Sequence, residues 1–288
     1  MSVTTFSILI PAYEYEEGIE RILKHFSLKS NEGVNILISD DSKSNKIKNI
    51  VLESTAYRTG KVKYNQNKPS LGAVKNWNSL IANSESDYIF VLHQDECPVD
   101  INFYSKLRKT INDNKNPDLV FLRCAHLVSK NAYSPFLISI IIRPILGYFF
   151  QYLLIRNVIG SPSNLVLKRS IVNDFDTRLQ WLVDVEWFYS LLKKRSSWIF
   201  AKDIKILSVV DINTSITSSI IYNIKKIMNN EIKYISDKHK SLNIFRLKDP
   251  KTIFDYFLKY AELFIWYFIR FISFLSSILF LKKLPYWW

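Results

Sequence analysis

The amino-acid sequence predicts an α/β fold built on a mostly parallel sheet. Apolar runs alternate with helical patterns over the first 130 residues, and several of these runs end on polar side chains. Uninterrupted apolar strands that are each followed by a helix are typical of a parallel sheet covered on both faces. Ligands of such sheets bind at the carboxyl ends of the strands, so the polar strand ends are the first candidates for a site.

The elements follow in order along the chain. The sequence predicts strands at "FSILIPAY", "VNILISDDS", "VKYNQN", "DYIFVLHQD" and "DLVFLRCAHLV". It predicts helices at "EEGIERILKHF", residues 46–54, "LGAVKNWNSLIANS" and "VDINFYSKLRKTIND". In the first helix, Ile19, Ile22, Leu23 and Phe26 recur at helical spacing. Further on, "IGSPSNLVLKRSIV" predicts a loop entering a strand, "DTRLQWLVDVEWFYSLLKKR" a loop and a helix, and "WIFAKDIKILSVVDI" strand.

Composition narrows the class of ligand. The net charge of +13 suits a nucleic acid, an anionic membrane surface or a phosphorylated substrate. An aromatic content of 15% favours the membrane, and no nucleic-acid-binding module is recognisable. The sequence has six glycines and neither of the common glycine-rich phosphate motifs. If a nucleotide binds, a metal ion or cationic side chains must therefore hold its phosphates.

The two cysteines, Cys97 and Cys124, are expected to be buried small hydrophobic residues and not a disulfide. The N-terminal segment lacks a basic start and a small-residue cleavage site, so we expect no secretory signal and a cytoplasmic N-terminal end.

The last apolar segment indicates contact with a membrane. Residues 263–281 contain Arg270 as their one charge, a length near the roughly 20 residues that span a bilayer. A polar stripe runs along this helical pattern, and Lys282, Lys283 and terminal aromatic residues follow it. These features favour a helix lying in the membrane interface over a spanning helix, and a core helix of a soluble protein is the third interpretation.

Two further segments point the same way. Residues 133–156 form an apolar stretch broken by Pro144 and Gly147, which we interpret as an interfacial insertion. Residues 220–251 are basic, and they face either anionic headgroups or solvent. The predicted domains are therefore residues 1–218 as the α/β domain and residues 219–288 as a basic and apolar helical region that associates with the membrane.

Several ordered motifs resemble those of the inverting family 2 glycosyltransferases. They are "FSILIPAYEYEEGIERIL", "NILISDDSKS", "NKPSLGAVKNWNSLIANSESDYIFVLHQDE" and "IGSPSNLVLKRSIVNDFDTRLQWLVDVEWFYSLL". Together they cover roughly residues 6–211, and their order and spacing are more specific than any one of them. The resemblance implies the GT-A fold, with C-terminal membrane helices added here, and a role in bacterial surface-polysaccharide synthesis.

The resemblance implies a set of donor-binding residues. Pro11, Tyr13 and Glu14 match positions that contact the nucleotide base and ribose. Asp41 of the pair Asp40-Asp41 matches an acid that accepts a hydrogen bond from a uracil or thymine ring. One of the two aspartates can instead cap the following helix. Lys75 matches a basic position near the pyrophosphate, although a lone surface lysine is more often solvated.

The stretch "HQDE" matches the acidic D-x-D motif of this family, which binds Mg²⁺ or Mn²⁺. His93 replaces the first acid, so it is either a metal ligand or a packing residue. The resemblance implies that Asp95 and Glu96 supply the metal and ribose contacts, with Asp95 assigned to the donor as well as to the metal. The sequence leaves open which contact each residue makes. Oxygen ligands suit these ions, which bridge nucleotide phosphates.

Asp184 matches the catalytic base, at the start of a helix where an aspartate also serves as a cap. Trp181 and Glu186 are candidate acceptor-binding residues. Asp211 or Asn213 stands where the family often has a histidine that reaches the metal.

The predicted function is transfer of a sugar from a UDP- or dTDP-sugar to a lipid-linked or polysaccharide acceptor, at the cytoplasmic face of the cell membrane. Two alternatives compete with it. A nucleotidyltransferase would normally need a glycine-rich phosphate loop near the first strand. A catalytically inactive membrane scaffold would retain the fold, and the replacement of an acid by His93 favours this second alternative.

Overall fold

We analysed a computed structural model of the chain. It describes residues 3–27, 32–128, 131–133, 153, 157, 159–194, 196–209 and 224–240. For residues 124–128, 131–133, 224 and 225 it describes the backbone. The chain divides into two units, Met1–Met228 and Asn229–Trp288. The sheet and the candidate site lie in the first unit.

The N-terminal part of the sheet is parallel, as predicted. Its strands are β1 (Phe6–Ala12), β2 (Val34–Asp40), β3 (Val62–Gln66) and β4 (Tyr88–Val91). They lie in the order β3-β2-β1-β4, and every neighbouring pair is parallel. The carboxyl ends of β1, β2 and β4 therefore meet at one edge of the sheet, where the sequence places its polar clusters.

The rest of the sheet corrects the expectation of a mostly parallel arrangement. Its strands are β5 (Glu96–Pro98), β6 (Leu119–Val128), β7 (Asn131–Tyr133), β8 (Leu165–Lys168) and β9 (Trp198–Val209). The order continues β4-β8-β6-β9-β5, and β7 pairs with β6. Strand β8 is antiparallel to both β4 and β6, and β5 is antiparallel to β9. The described chain thus has an α/β fold with a mixed sheet, consistent with GT-A.

The helices of the first unit connect and cover the strands. They are α1 (Glu16–Ser27), α2 (Lys46–Glu53), α3 (Thr55–Arg58), α4 (Ala73–Ala82), α5 (Phe103–Asp113) and α6 (Val183–Lys193). Helix α1 buries the four apolar residues whose spacing predicted it. A Cβ atom on Gly18 would lie 2.2 Å from the carbonyl oxygen of Gln94, so glycine lets α1 approach the loop after β4.

The core is continuous along the sheet. Phe6, Ile8 and Ile10 of β1 are fully buried, and so are Phe90 of β4 and Phe103 of α5. Burial of side chains of this size contributes roughly 1.5–3 kcal/mol each, which fixes the strands that carry the site. Cys97 is buried as a free thiol, as expected, and burial raises its pKa to about 11. The side chain of Cys124 lies outside the described residues.

The predicted membrane segments fall mostly outside the described residues. This holds for residues 263–281 and, apart from Tyr133 and Leu153, for the insertion at 133–156. Among the residues that the structure describes, no helix has both the length and the apolar character needed to cross a membrane. Helix α7 (Ile224–His239) occupies part of the predicted basic region, and the boundary between the two units falls within it.

Candidate active site

The corner formed by the ends of β1 and β2 is held together by backbone contacts. Pro11 pairs with Ser39 of the neighbouring strand, and the Tyr13 side chain is 55% exposed. Glu14 adopts a left-handed conformation (φ 42°), and its Oε1 accepts a 2.8 Å hydrogen bond from the Lys43 N–H. That hydrogen bond lowers the pKa of the Glu14 carboxyl. This carboxylate therefore joins the two strand ends.

Both aspartates after β2 are buried and hydrogen-bonded. Asp40 Oδ2 accepts from the Tyr64 hydroxyl at 2.6 Å. Asp41 Oδ1 accepts from Asn67 Nδ2 at 2.8 Å and from the Leu71 N–H at 3.0 Å, and its Oδ2 accepts from the Gly72 N–H at 2.7 Å. Asp41 thus anchors the loop that leads into α4, where Gly72 is the N-cap position.

The predicted metal ligands come together at the end of β4. One possible ligand atom from each of His93, Asp95 and Glu96 lies within 4.8 Å of the others. Glu96 begins β5 and is buried, whereas His93 and Asp95 are half-buried. The His93 ring packs against Trp77, with ring centroids 5.3 Å apart. The backbone N–H of His93 donates to Ser163 Oγ at 3.1 Å.

The chemistry of this cluster fits a divalent cation. Among the described residues, the buried atoms His93 Nε2 and Glu96 Oε2 have no hydrogen-bond partner. Unpartnered buried polar atoms cost free energy unless a ligand satisfies them. Burial raises the pKa of Glu96, the nearby Asp95 charge raises it further, and His93 opposes both. A bound cation would offset the repulsion between the two neighbouring carboxylates. The mixed oxygen and nitrogen donors suit Mn²⁺ as well as Mg²⁺.

Asp184 lies in the first turn of α6, as predicted. Its Oδ1 accepts from the Val185 N–H at 2.8 Å, and its Oδ2 accepts from Asn157 Nδ2 at 2.9 Å. The N-cap position is Leu182, so Asp184 is not the cap of the helix. Burial raises the pKa of Asp184 to about 6. A carboxylate with that pKa is ionised at neutral pH and still basic enough to take a proton.

Three residues, Asn157, Ser161 and Ser163, connect Asp184 to the cluster. Asn157 contacts Asp184, the Ser161 hydroxyl donates to Glu96 Oε1 at 2.7 Å, and Ser163 accepts from His93. Two separated groups of titratable side chains therefore share one short, hydrogen-bonded scaffold. Such an arrangement suits a reaction in which one group binds charge and the other moves a proton.

Comparison with known proteins identifies the family. Residues 7–175, more than half of the chain, match the family model described as "Glycosyl transferase family 2". The chain belongs to glycosyl transferase family 2. This family 2 glycosyltransferase matches none of the curated proteins with which it was compared.

Solved structures show the same fold. S. aureus TarS 1-349 in complex with UDP-GlcNAc superposes with a TM-score of 0.55 at 13% identity, covering 72% of this chain and 59% of that one. The complex of S. aureus TarS 1-349 with UDP superposes with a TM-score of 0.53 at 14% identity, covering 72% of this chain and 61% of that one. The structure of S. aureus TarS superposes with a TM-score of 0.54 at 13% identity, covering 72% of this chain and 37% of that one. The chain thus spans less than two thirds of each of these TarS chains, and at identities this low the likeness shows the fold alone.

The remaining predicted site residues lie in different environments. Lys75 is exposed in the first turn of α4. Trp181 is half-buried just before α6. Glu186 is buried, and its Oε1 accepts from Ser190 on the same helix at 2.8 Å, which points to a role inside the fold. Asp211 and Asn213 lie outside the described residues.

Sequence reasoning missed several residues of the site of this glycosyltransferase. Asn157, Ser161 and Ser163 contact its predicted acids and His93, yet the sequence indicated only a loop there. Gln94 was also missed, although its side chain bonds both the N–H and the C=O of Tyr13, at 2.8 and 2.9 Å. The sequence signal at this place was a run of small polar residues beside Gly160 and Pro162, just before a strand. Such a run predicts a turn, but it does not predict which side chains the turn contacts.

Proposed function

We propose that the chain transfers a sugar from a UDP- or dTDP-sugar to a hydroxyl of a lipid-linked or polysaccharide acceptor, with inversion at the anomeric carbon. The observation that carries this proposal is the connection of Asp184, through residues 157 and 159–164, to the cluster of His93, Asp95 and Glu96. Family membership supports sugar transfer, and the TarS complexes with UDP-GlcNAc and UDP support a uridine nucleotide.

Asp184 is the proposed catalytic base. An inverting transfer is a single displacement, so one carboxylate that removes the proton from the attacking hydroxyl suffices. Burial raises the pKa of Asp184 to about 6, which is still below 7, so most of the base is ionised at neutral pH. The hydrogen bonds from Val185 and Asn157 fix the orientation of its two oxygens.

Donor binding is proposed at the strand ends. The exposed Tyr13 ring is available to the nucleotide base. Pro11, Glu14 and Asp41 are the further residues proposed to bind the donor. Asp41 already accepts three hydrogen bonds. A carboxylate has about four acceptor sites, so one remains for a pyrimidine N–H. Lys75 is proposed to approach the diphosphate.

Asp95, Glu96 and His93 are the proposed ligands of Mg²⁺ or Mn²⁺. When bound, the ion neutralises charge on the nucleoside-diphosphate leaving group. The unpartnered Glu96 Oε2 and His93 Nε2 support this assignment. In the protein itself, Ser161 holds Glu96 and Trp77 packs against the His93 ring, so these side chains are oriented before the ion arrives.

The acceptor is proposed to be reached at the cytoplasmic face of the cell membrane. The net charge of +13 and the apolar, aromatic C-terminal segment of the sequence support binding to an anionic lipid surface. We expect the full chain to float with vesicles that contain anionic lipid and to do so less at high salt. A chain that stayed unbound at low salt would contradict the membrane assignment.

The experiment that tests the proposal measures nucleotide release from a panel of UDP- and dTDP-sugars, with Mn²⁺ and with a detergent extract of lipid-linked acceptors. We expect one donor to release nucleotide, EDTA to stop the release, and Mn²⁺ to restore it. The acid side of the kcat profile should fall below about pH 6, because Asp184 is then protonated. No release, together with no binding of UDP in the presence of Mn²⁺, would contradict the proposal and favour a scaffold.

A further inference from the structure

Residues 159–164 are organised around the side chain of Asn157. Its Oδ1 accepts from the Ile159 N–H at 3.1 Å and from the Gly160 N–H at 2.9 Å. Its Nδ2 donates to the Gly160 carbonyl at 2.8 Å and to Asp184 Oδ2 at 2.9 Å. One amide group therefore closes the turn and also holds one oxygen of the proposed base.

The turn has little freedom to take another shape. Gly160 has a φ of 93°, and a Cβ atom there would lie 2.6 Å from Asn164 Nδ2. That same Nδ2 donates to the Ile159 carbonyl at 2.9 Å, and Asn164 is buried. A left-handed glycine and a buried amide together define a single backbone path. Movement of Asn157 would therefore move the whole turn.

The far side of the turn is bound to the cluster. The Ser161 hydroxyl donates to Glu96 Oε1 at 2.7 Å, and the fully buried Ser163 accepts from the His93 N–H at 3.1 Å. Asn157 is thus the first link of a hydrogen-bonded path from Asp184 to Glu96 and His93, the proposed metal ligands.

We propose that Asn157 is a positioning residue for the transfer, which sets Asp184 at a fixed place relative to His93 and Glu96. This inference rests on the proposed function, in which Asp184 is the base. Asn157 itself touches no reacting atom in this proposal. Its amide donor orients one carboxylate oxygen and leaves the remaining acceptor sites of Asp184 for the acceptor hydroxyl.

Asn157→Asp tests the donor role with almost no change in shape. The variant keeps an oxygen that can accept from the N–H groups of Ile159 and Gly160. It replaces the amide that donates to Asp184 and to the Gly160 carbonyl with a second acceptor. We expect kcat at pH 7.5 to fall about 10- to 100-fold, with the KM for the donor and the affinity for UDP within about two-fold of the original. The two adjacent carboxylates should share a proton, so the acid side of the kcat profile should move to higher pH.

Asn78→Asp is the matched control. The Asn78 side chain bonds both the N–H and the C=O of Phe175, at 2.8 and 2.9 Å, and within the described part of the chain it makes no hydrogen bond to an acid. The same atom replacement at this position should leave kcat and its pH profile unchanged. Asn157→Ala, which adds no charge, should also lower kcat while UDP still binds.

The outcomes separate this inference from the proposed function. Loss of kcat in both Asn157 variants, with UDP binding retained, supports the positioning role. Original kcat in either variant, or a parallel loss of kcat and UDP binding in both, overturns it. If Asp184→Asn abolishes turnover while Asn157→Asp does not, the inference alone is wrong. If Asp184→Asn keeps full activity, the proposed base is wrong.

Discussion

The acidic residues at two corners of the sheet edge differ in their hydrogen bonding and in the direction of their pKa shifts. In the β1–β2 corner (Glu14, Asp40 and Asp41), the carboxylates accept hydrogen bonds from the surrounding chain, and the pKa of Glu14 is lowered. In the β4–α6 corner (His93, Asp95, Glu96 and Asp184), two buried atoms, His93 Nε2 and Glu96 Oε2, lack hydrogen-bond partners among the described residues. The pKa values of Glu96 and Asp184 are raised by burial.

The difference separates a scaffold from a reactive site. Carboxylates that accept hydrogen bonds from the chain itself stabilise the local backbone conformation, whether or not a ligand is bound. Glu96 and Asp184 each have a pKa that burial raises, so their ionised forms cost stability, and proteins retain such groups where chemistry needs them. The comparison therefore predicts that substitutions in the first corner mainly change folding stability and donor affinity, whereas those in the second mainly change turnover and metal binding.

The largest effect is expected from Asp184→Asn. The amide cannot take the proton of the attacking hydroxyl, so kcat should fall about 10²- to 10⁴-fold, while UDP binding is unchanged. Steady-state nucleotide release and calorimetry with UDP measure the two quantities. Asp118→Asn is the control, because Asp118 also accepts a backbone N–H, from Ser197, but lies outside both corners. An Asp184→Asn variant with the original kcat would remove the distinction between the corners.

The second-largest effect is expected when one carboxylate from each corner is replaced and the Mn²⁺ affinities of the two variants are compared. Glu96→Gln should weaken Mn²⁺ binding in the presence of UDP by at least about 10-fold, because it removes a charged ligand. Without metal, the variant should be no less stable than the original chain, since a buried charge is lost. Glu14→Gln should leave Mn²⁺ affinity unchanged. Equal Mn²⁺ affinities of the two variants by calorimetry would show that Glu96 is not a ligand.

Asp41→Asn should change stability more than chemistry. An amide at this position presents hydrogens to the Gly72 or Leu71 N–H groups, which loses at least one of three hydrogen bonds. We expect the free energy of unfolding to fall by about 1–3 kcal/mol in urea titrations. The KM for the donor should rise because the loop before α4 loosens, whereas kcat at saturating donor should stay within about three-fold.

The smallest effect is expected from Glu14→Gln on stability. The pKa of Glu14 is lowered by its hydrogen bond from the Lys43 N–H, so the ionised form stabilises the folded state above the usual carboxyl pKa. That contribution is lost as pH falls through the lowered value. The group is exposed, so the difference between variant and original should stay below about 1 kcal/mol at pH 7 and vanish in acid. A difference that grew in acid would contradict this sign.

The sequence predicted the elements that local patterns determine. Strands β1, β2 and β4 and helix α1 follow from apolar runs and helical spacing, and Asp184 was placed at the start of a helix. The antiparallel directions of β5 and β8 were missed. Strand β5 has three residues, and its pairing with β9 depends on residues more than 100 positions later in the chain. No local propensity carries that information.

The site residues that belong to a sequence motif could be predicted, whereas those that reach the site through tertiary contacts could not. His93, Asp95 and Glu96 were found together because they are neighbours in the sequence. The contacts of Asn157 with Asp184 and of Ser161 with Glu96 join segments 27 and 65 residues apart. Small polar residues in a turn predict a loop, and only the folded chain shows which acids they hold.

A structure of the full chain with UDP and Mn²⁺ tests the central distinction most directly. We predict that the ion lies against Asp95, Glu96 and His93, that the Glu14 carboxylate keeps its hydrogen bond from Lys43, and that Asp184 faces the space beside the diphosphate. An ion bound by Glu14 or Asp41, with Glu96 and His93 away from it, would contradict the assignment of chemistry to the β4–α6 corner.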